Sequence, residues 1–251
     1  LRAPDLTELT QLAPTPDPDA LYVARRALRA GLAHAMYAEL RALVGAPIKG
    51  PFSPGAEQAG ERALKSAAME LLAAIDDTDA LQRAFEDAAT MTERIAALEG
   101  LSQGPAAPFD AALAHFHAQW RTSPLVLDKW FAVQASAPRE DIAARIEHLA
   151  THEDFTLRNP NRARALIATF AMRNMRGFHA KDGSGYQFLA EQARRADALN
   201  PALAARLLTA FESWRRFDDA RQAKAQAALE SLARANGLSA NARDVVTRTL
   251  G

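Results

Sequence analysis

Asn159-Pro160-Asn161-Arg162-Ala163-Arg164-Ala165-Leu166-Ile167-Ala168-Thr169-Phe170-Ala171 reads as one complete helix start. Asn stands where a side-chain oxygen can cap the first free amides, and Pro fills the first helical position, where its missing N–H costs nothing. Ala163, Leu166, Ile167, Phe170 and Ala171 then recur at helical spacing and form one apolar face. Asn200-Pro201 repeats the device, with Leu203, Leu207, Leu208 and Phe211 turned inward.

Outward from these two starts the same period persists, and no stretch alternates like a half-buried strand. Residues 1–18, rich in Pro and Asp, read as an extended lead-in that ends at Asp17-Pro18-Asp19. A first long helix is expected from Asp19 to Val44, and a break from Gly45 to Pro54. A second helix is expected over Gly55 to Ile75, with Leu64, Ala68, Leu71, Leu72 and Ile75 as its apolar stripe. Shorter helices follow near 78–89, 91–99, 106–121, 124–135 and 139–151. Residues Asn174 to Ser184 form the longest irregular piece. Two last helices, about 218–235 and 240–249, are separated by Asn236-Gly237 and capped at Ser239. Short connections suit antiparallel neighbours. The expected fold is all-α: an irregular superhelical array of about a dozen antiparallel helices, HEAT- or armadillo-like, in one domain over 1–251.

Composition narrows the function. With 30 basic and 30 acidic residues, the surface has no general attraction for nucleic acid or anionic lipid. There is no Cys, which excludes disulfides and thiolate metal sites and fits a reducing cytoplasm. No apolar run approaches the ~20 residues of a membrane span. The start at Leu1-Arg2-Ala3-Pro4, without Met or a signal-peptide pattern, reads as that of a fragment.

Motifs for chemistry are missing. Of the six His, His148 and His152 are four apart and expected on one helix face, flanked by Glu147 and Glu153. A zinc helix of the zincin type needs H-E-x-x-H, and here Leu149 occupies the position of the base. A solvated helix end is the reading of this pair. His115 and His117 are two apart and face different ways, and His179 reads as a turn or packing residue. No G-x-S-x-G or nucleotide loop occurs, and Asp182-Gly183-Ser184-Gly185 reads as a tight turn. No catalytic residue and no metal ligand is assigned. Arg164 and Arg206 lie on the flanks of apolar stripes, where an arginine either snorkels to water or enters a polar cavity; spacing alone favours snorkelling.

Three runs carry a resemblance. Ser123-Pro124-Leu125-Val126-Leu127-Asp128-Lys129-Trp130-Phe131 is the first. Phe155-Thr156-Leu157-Arg158-Asn159-Pro160-Asn161-Arg162 is the second, and Phe178-His179-Ala180-Lys181-Asp182-Gly183-Ser184-Gly185-Tyr186 the third. In this order they resemble the last domain of bacterial aminopeptidase N, a family of zinc metallopeptidases. Shorter likenesses lie at Thr90-Met91-Thr92-Glu93-Arg94 and Trp214-Arg215-Arg216-Phe217-Asp218.

The resemblance implies a C-terminal (fourth) helical domain that closes over a catalytic centre and controls which peptides enter. Zinc, with H-E-x-x-H and G-x-M-E-N, would then lie outside this chain, since neither motif occurs in it. Its partners would be the catalytic and N-terminal domains of the same polypeptide and peptide substrates. Arg164 and Arg206 match family arginines expected to line the internal cavity and meet a peptide's carbonyls or carboxylate. The resemblance further implies that the domain's opening helices are missing here, leaving an apolar helix face uncovered. A stand-alone helical-repeat interaction module is the alternative, but no concave stripe of aromatics or Met supports it.

Overall fold

The computed structural model describes residues 4–251, and every regular element among them is helical. The helices are α1 (Leu6–Leu12), α2 (Pro18–Ala35), α3 (Tyr37–Gly45), α4 (Ala56–Ala74), α5 (Thr78–Glu86), α6 (Met91–Leu101), α7 (Ala106–Trp120) and α8 (Pro124–Ser136). Next come α9 (Ile142–Leu149), α10 (Pro160–Ala163), α11 (Thr169–Arg173), α12 (Met175–Phe178), α13 (Ser184–Asp197), α14 (Pro201–Leu208), α15 (Asp219–Arg234) and α16 (Ala240–Leu250). A π-helical segment, Arg164–Ala168, joins α10 to α11, and a 3₁₀ segment, Thr209–Arg216, continues α14. Residues 1–3, where the lead-in begins, lie outside the described residues.

Several starts follow the caps written in the sequence. Asn159 accepts from the amides of Asn161 and Arg162, and Asn200 from that of Leu203. Asp77, Asp218 and Ser239 do the same for α5, α15 and α16. Gly237, at φ +80°, makes the left-handed turn between the last two helices, a conformation that costs glycine little.

Four expectations are corrected. The lead-in is not extended throughout: Asp5 and Glu8 form a capping box that starts α1, and Arg216 takes up the free carbonyls of Thr10, Gln11 and Ala13 at its end. The long helix Asp19–Val44 is two helices, because Met36 at φ −122° and ψ 25° breaks the ladder. The α4 stripe holds at Ala68, Leu71 and Leu72, but Leu64 is 45% exposed, and Lys65 and Met69 are buried beside it. The irregular piece after Asn174 also holds a short helix, α12, capped by the Asn174 side chain on the Gly177 amide.

The chain's contacts gather into two compact units, one of Tyr22–Val133 with Pro4, the other of Asp5–Leu21 with Gln134–Gly251. In the first, α4 packs on α3 and α6, and α5 on α6, around Met69, Leu72, Leu81, Ala97 and Leu98, all close to fully buried. Phe109, Phe116 and Phe131 extend that core, and Trp130 donates its indole N–H to the Leu113 carbonyl at 3.1 Å. In the second, α13 packs on α14 and α15, and α14 on α16. Its centre is a run of aromatic edges, Phe170 on Phe178 and Phe188, and Phe178 on Tyr186 and Phe211.

Candidate functional site

Arg164 opens the π-helical segment. There the Thr169 amide reaches the Arg164 carbonyl five residues back, and the Thr169 hydroxyl adds a second bond to it at 3.3 Å. An extra residue in a helical turn shifts the side chains around it out of ordinary register, and such bulges recur at functional sites. Leu166 and Ile167 remain fully buried, so the bulge leaves the apolar face seated and turns Arg164 to solvent. Its guanidinium bonds Asn161 Oδ1, one turn earlier.

Arg206 sits in the last turn of α14, where a cation complements the helix's negative end. Leu203 and Leu207, on either side of it in sequence, are buried, while Arg206 itself is exposed. The Thr209 hydroxyl takes its backbone carbonyl at 2.8 Å, which fixes the turn without using the side chain. Among the described residues the Arg206 guanidinium has no hydrogen-bond or ion-pair partner. Because α14 packs against the π segment, the two arginines sit on neighbouring elements of one unit. Both therefore point to solvent, as spacing alone favours, and either could meet a carboxylate or carbonyl brought to that surface.

Beneath this unit's surface lies a buried polar knot. Arg221 is 2% exposed and donates Nε–H to the His179 carbonyl at 2.6 Å. Its other nitrogens reach Asp218 Oδ2 at 2.5 Å and Asp19 Oδ2 at 3.3 Å. Asp19 also takes Arg176 Nε at 2.8 Å. The His179 ring lies flat on Phe217, centroids 3.8 Å apart, and its Nδ1 shares a hydrogen bond of 2.8 Å with the Tyr186 hydroxyl. Burial, aided by the Arg221 charge, lowers the His179 pKa to about 3, so the ring is neutral at ordinary pH. Burial raises the Tyr186 phenol. His179 is thus the packing residue expected of it. Phe178–Tyr186 and Trp214–Asp218, two of the runs singled out in sequence, meet here, which sequence spacing could not show.

The His148/His152 pair departs from its expected placement. Helix α9 stops at Leu149, so His152 lies in the turn beyond it, and the two do not stack on one helical face. His148 is exposed, and His152 Nδ1 accepts the Asp154 amide at 3.1 Å. That arrangement lacks the geometry of a zinc helix. Asp182-Gly183-Ser184-Gly185 is the tight turn expected: Asp182 accepts from the Ser184 amide and hydroxyl, and Gly183 has φ +79°.

The first unit contains a cavity of about 470 Å³, walled by Val44, Met69 and Ala80 with Arg41, Arg83 and Asp87. Its polar floor is an ion pair, Lys65 Nζ to Glu93 Oε1 at 2.9 Å, with the Ala46 carbonyl completing the ammonium at 2.9 Å. Lys65 and Glu93 were not anticipated. A lysine one position from the expected stripe, twenty-eight residues before a glutamate, carries no local signal.

The whole chain, residues 1–251, matches the family described as "Domain of unknown function (DUF3458_C) ARM repeats". It is 41% identical over 252 residues to aminopeptidase N of Caulobacter vibrioides, covering 99% of this chain and 29% of that protein. Against aminopeptidase N of Escherichia coli the identity is 34% over 253 residues, again with 29% of the relative covered. A solved structure, Legionella pneumophila aminopeptidase A in complex with aspartic acid, superposes with a TM-score of 0.89 at 30% identity. That match takes in all of this chain and 31% of the other. The chain therefore spans less than a third of the length of these relatives.

Proposed function

The chain belongs to the DUF3458_C family of ARM-repeat domains, and from that membership we propose that it is the C-terminal helical domain of a zinc aminopeptidase, governing which peptides reach a catalytic centre held elsewhere in the polypeptide. It carries no H-E-x-x-H and no G-x-M-E-N. Zinc, the general base and the groups that hold a substrate's amino terminus are accordingly assigned to the remainder. The partners are the catalytic and N-terminal domains of the same polypeptide, and the substrates are peptides. The place of action is the cytoplasm; no helix among the described residues is long and apolar enough to cross a membrane.

Within this reading, Arg206 binds the far end of the peptide. The observation that carries it is the exposed, unpartnered guanidinium on a rigid turn. Such a group loses no existing ion pair when it accepts a carboxylate, and its planar fork fits one with two parallel hydrogen bonds. Arg164 supports it from the π segment, with a weaker share because its guanidinium is already bonded to Asn161. The bulge and the Thr209 bond do the positioning: they hold backbone, not guanidinium, and leave the Arg206 cation free to reach substrate.

The test is kinetic, in the full-length polypeptide. A charge-assisted hydrogen bond contributes about 1.5–3 kcal/mol, roughly 10- to 150-fold in binding. Arg206→Ala is expected to raise KM for tri- and tetrapeptides by that order, and to leave a single-residue anilide within about twofold. Arg164→Ala should act in the same direction, but less. Equal effects on peptide and anilide would refute the role given to Arg206.

A further inference from the structure

At two places Asp or Asn directly precedes a glycine in the left-handed region: Asp182-Gly183, at φ +79°, and Asn236-Gly237, at φ +80°. The glycine conformations match, but the surroundings differ. Gly183 is buried, its N–H donates to the Ala180 carbonyl at 3.0 Å, and a Cβ there would meet Lys224 at 3.0 Å. Asp182 is held as well, accepting from the Ser184 amide and hydroxyl at 2.9 and 2.7 Å. Asn236 and Gly237 are both exposed, in the turn between α15 and α16. Among the described residues neither the Asn236 carboxamide nor the Gly237 N–H has a hydrogen-bond partner. Nothing lies within 4 Å of a Cβ built on Gly237.

An Asn carboxamide is an electrophile one residue away from a backbone nitrogen. Two features ordinarily keep them from reacting: a hydrogen bond that engages the N–H, and a side chain that shields the nitrogen. Asn236-Gly237 has neither. The other asparagines have at least one such protection. Asn159 and Asn200 precede Pro, which has no N–H. Asn174 is 3% exposed, and its carboxamide is bound to the carbonyls of Ala135 and Ala137 and to the Gly177 amide. Asn161 and Asn241 lie within helices, where the amide of Arg162 is held by Asn159 and that of Ala242 by Ser239.

We propose that Asn236-Gly237 is a self-modifying site, which loses ammonia and becomes an aspartyl or isoaspartyl link in the turn between α15 and α16. The Gly237 nitrogen adds to Asn236 Cγ; the new N–Cγ bond forms as the Cγ–Nδ2 bond breaks, and ammonia departs with the proton of the Gly237 N–H. Water, the one co-reactant, then opens the cyclic imide. Attack at Cγ leaves an ordinary aspartate. Attack at the former main-chain carbonyl leaves an isoaspartate, whose backbone is one methylene longer. That methylene matters because the turn is anchored immediately downstream. Leu238 is 9% exposed, and Ser239 donates its N–H and O–H to Asp197 at 2.7 and 2.5 Å. Ser239 Oγ also caps α16 on the Ala242 amide, and α16 supplies the Thr249 carbonyl taken by Trp214 and Arg215. A longer link pulls Ser239 from its cap, and the loss is transmitted to α16. None of this depends on the aminopeptidase reading.

The test follows the tryptic peptide 235–243 from full-length polypeptide held in mildly alkaline buffer. The same peptide carries Asn241, which serves as internal reference. Fragment masses locate each change of amide to acid, and enzymatic carboxyl methylation counts the isoaspartate. The expected result is conversion of Asn236 at least about tenfold faster than that of Asn241, and within about tenfold of its rate in the guanidinium-unfolded polypeptide. Slower conversion than either bound would overturn the proposal, since the folded turn would then be protecting the pair. Hydrogen exchange reads the consequence: α16 amides should exchange at least about threefold faster in converted molecules than in fresh ones. Asn236→Gln, incubated alike, should show neither change. Asn236→Asp, which brings the charge without the methylene, should leave α16 exchange as in the fresh parent; exchange as fast as in converted molecules would overturn the part given to the longer backbone.

Discussion

Arg221 is held by three partners in a site with almost no access to water, and each partner comes from a different stretch of chain: the His179 carbonyl, Asp218 and Asp19. Removing it strands the His179 carbonyl and leaves Asp218 without its closest cation. Arg221→Ala is therefore expected to cost about 2–4 kcal/mol, from a lost charged network and an unpaired buried acceptor. Urea titration followed by far-UV circular dichroism measures it; a cost below about 0.5 kcal/mol would mean that water replaces the guanidinium. His179 adds a pH dependence with a definite sign. Its pKa falls from 6.5 to about 3 on folding, so between those values the unfolded state binds more protons than the folded state. Stability contributed by neutral His179 is fully present above pH 6.5 and is lost as pH falls toward 3, at up to about 1.4 kcal/mol per pH unit. Carboxylates lowered by their partners, such as Asp218 beside Arg221, act only below their own unfolded range near 4. Between pH 6.5 and 4.5 the melting temperature should drop in the parent chain and much less in His179→Gln; parallel slopes would remove His179 from the account.

The elements show what sequence patterns could and could not reveal. Asn159-Pro160 and Asn200-Pro201 start helices as read, because a cap is a local interaction between a side chain and amides two or three residues on. The break at Met36, the π segment at Arg164–Ala168 and the exposure of Leu64 on α4 were not legible, because none is decided locally. On α4 the buried face also takes in Lys65 and Met69, and only the distant Glu93 makes a buried Lys65 tolerable there. Likewise the partners of Arg25, Arg26 and Arg29 lie on distant stretches of chain, at Glu70, Asp76 and Gln103, where no local pattern points to them. Glycines test the same elements. A Cβ on Gly185 would lie 2.4 Å from the Phe178 carbonyl oxygen and 2.7 Å from that of Gly177, both backbone atoms that cannot step aside. Gly185→Ala should destabilise by at least about 2 kcal/mol, through forced separation of α12 and α13. Gly60, within α4, has nothing within 4 Å of its would-be Cβ, and Gly60→Ala should stabilise by about 0.5–1 kcal/mol. Thermal melts of the two variants should move in opposite directions.

For the whole molecule, fold class and family were within reach of the sequence, because helical period extends over most of its length and three ordered runs between Ser123 and Tyr186 carry the resemblance. The candidate site was reached only as two residue names. That Arg206 has no partner while Arg164 leans on Asn161 depends on side-chain placement that spacing does not encode. The absence of a catalytic motif is a sequence property, and it makes the central claim directly testable. Hydrolysis of a tripeptide and zinc content are measured on this chain alone, on the separately prepared remainder, and on their mixture. The account predicts neither zinc nor turnover in this chain, and a mixture whose peptide turnover exceeds that of the remainder. Stoichiometric zinc and peptide cleavage by this chain alone would contradict it.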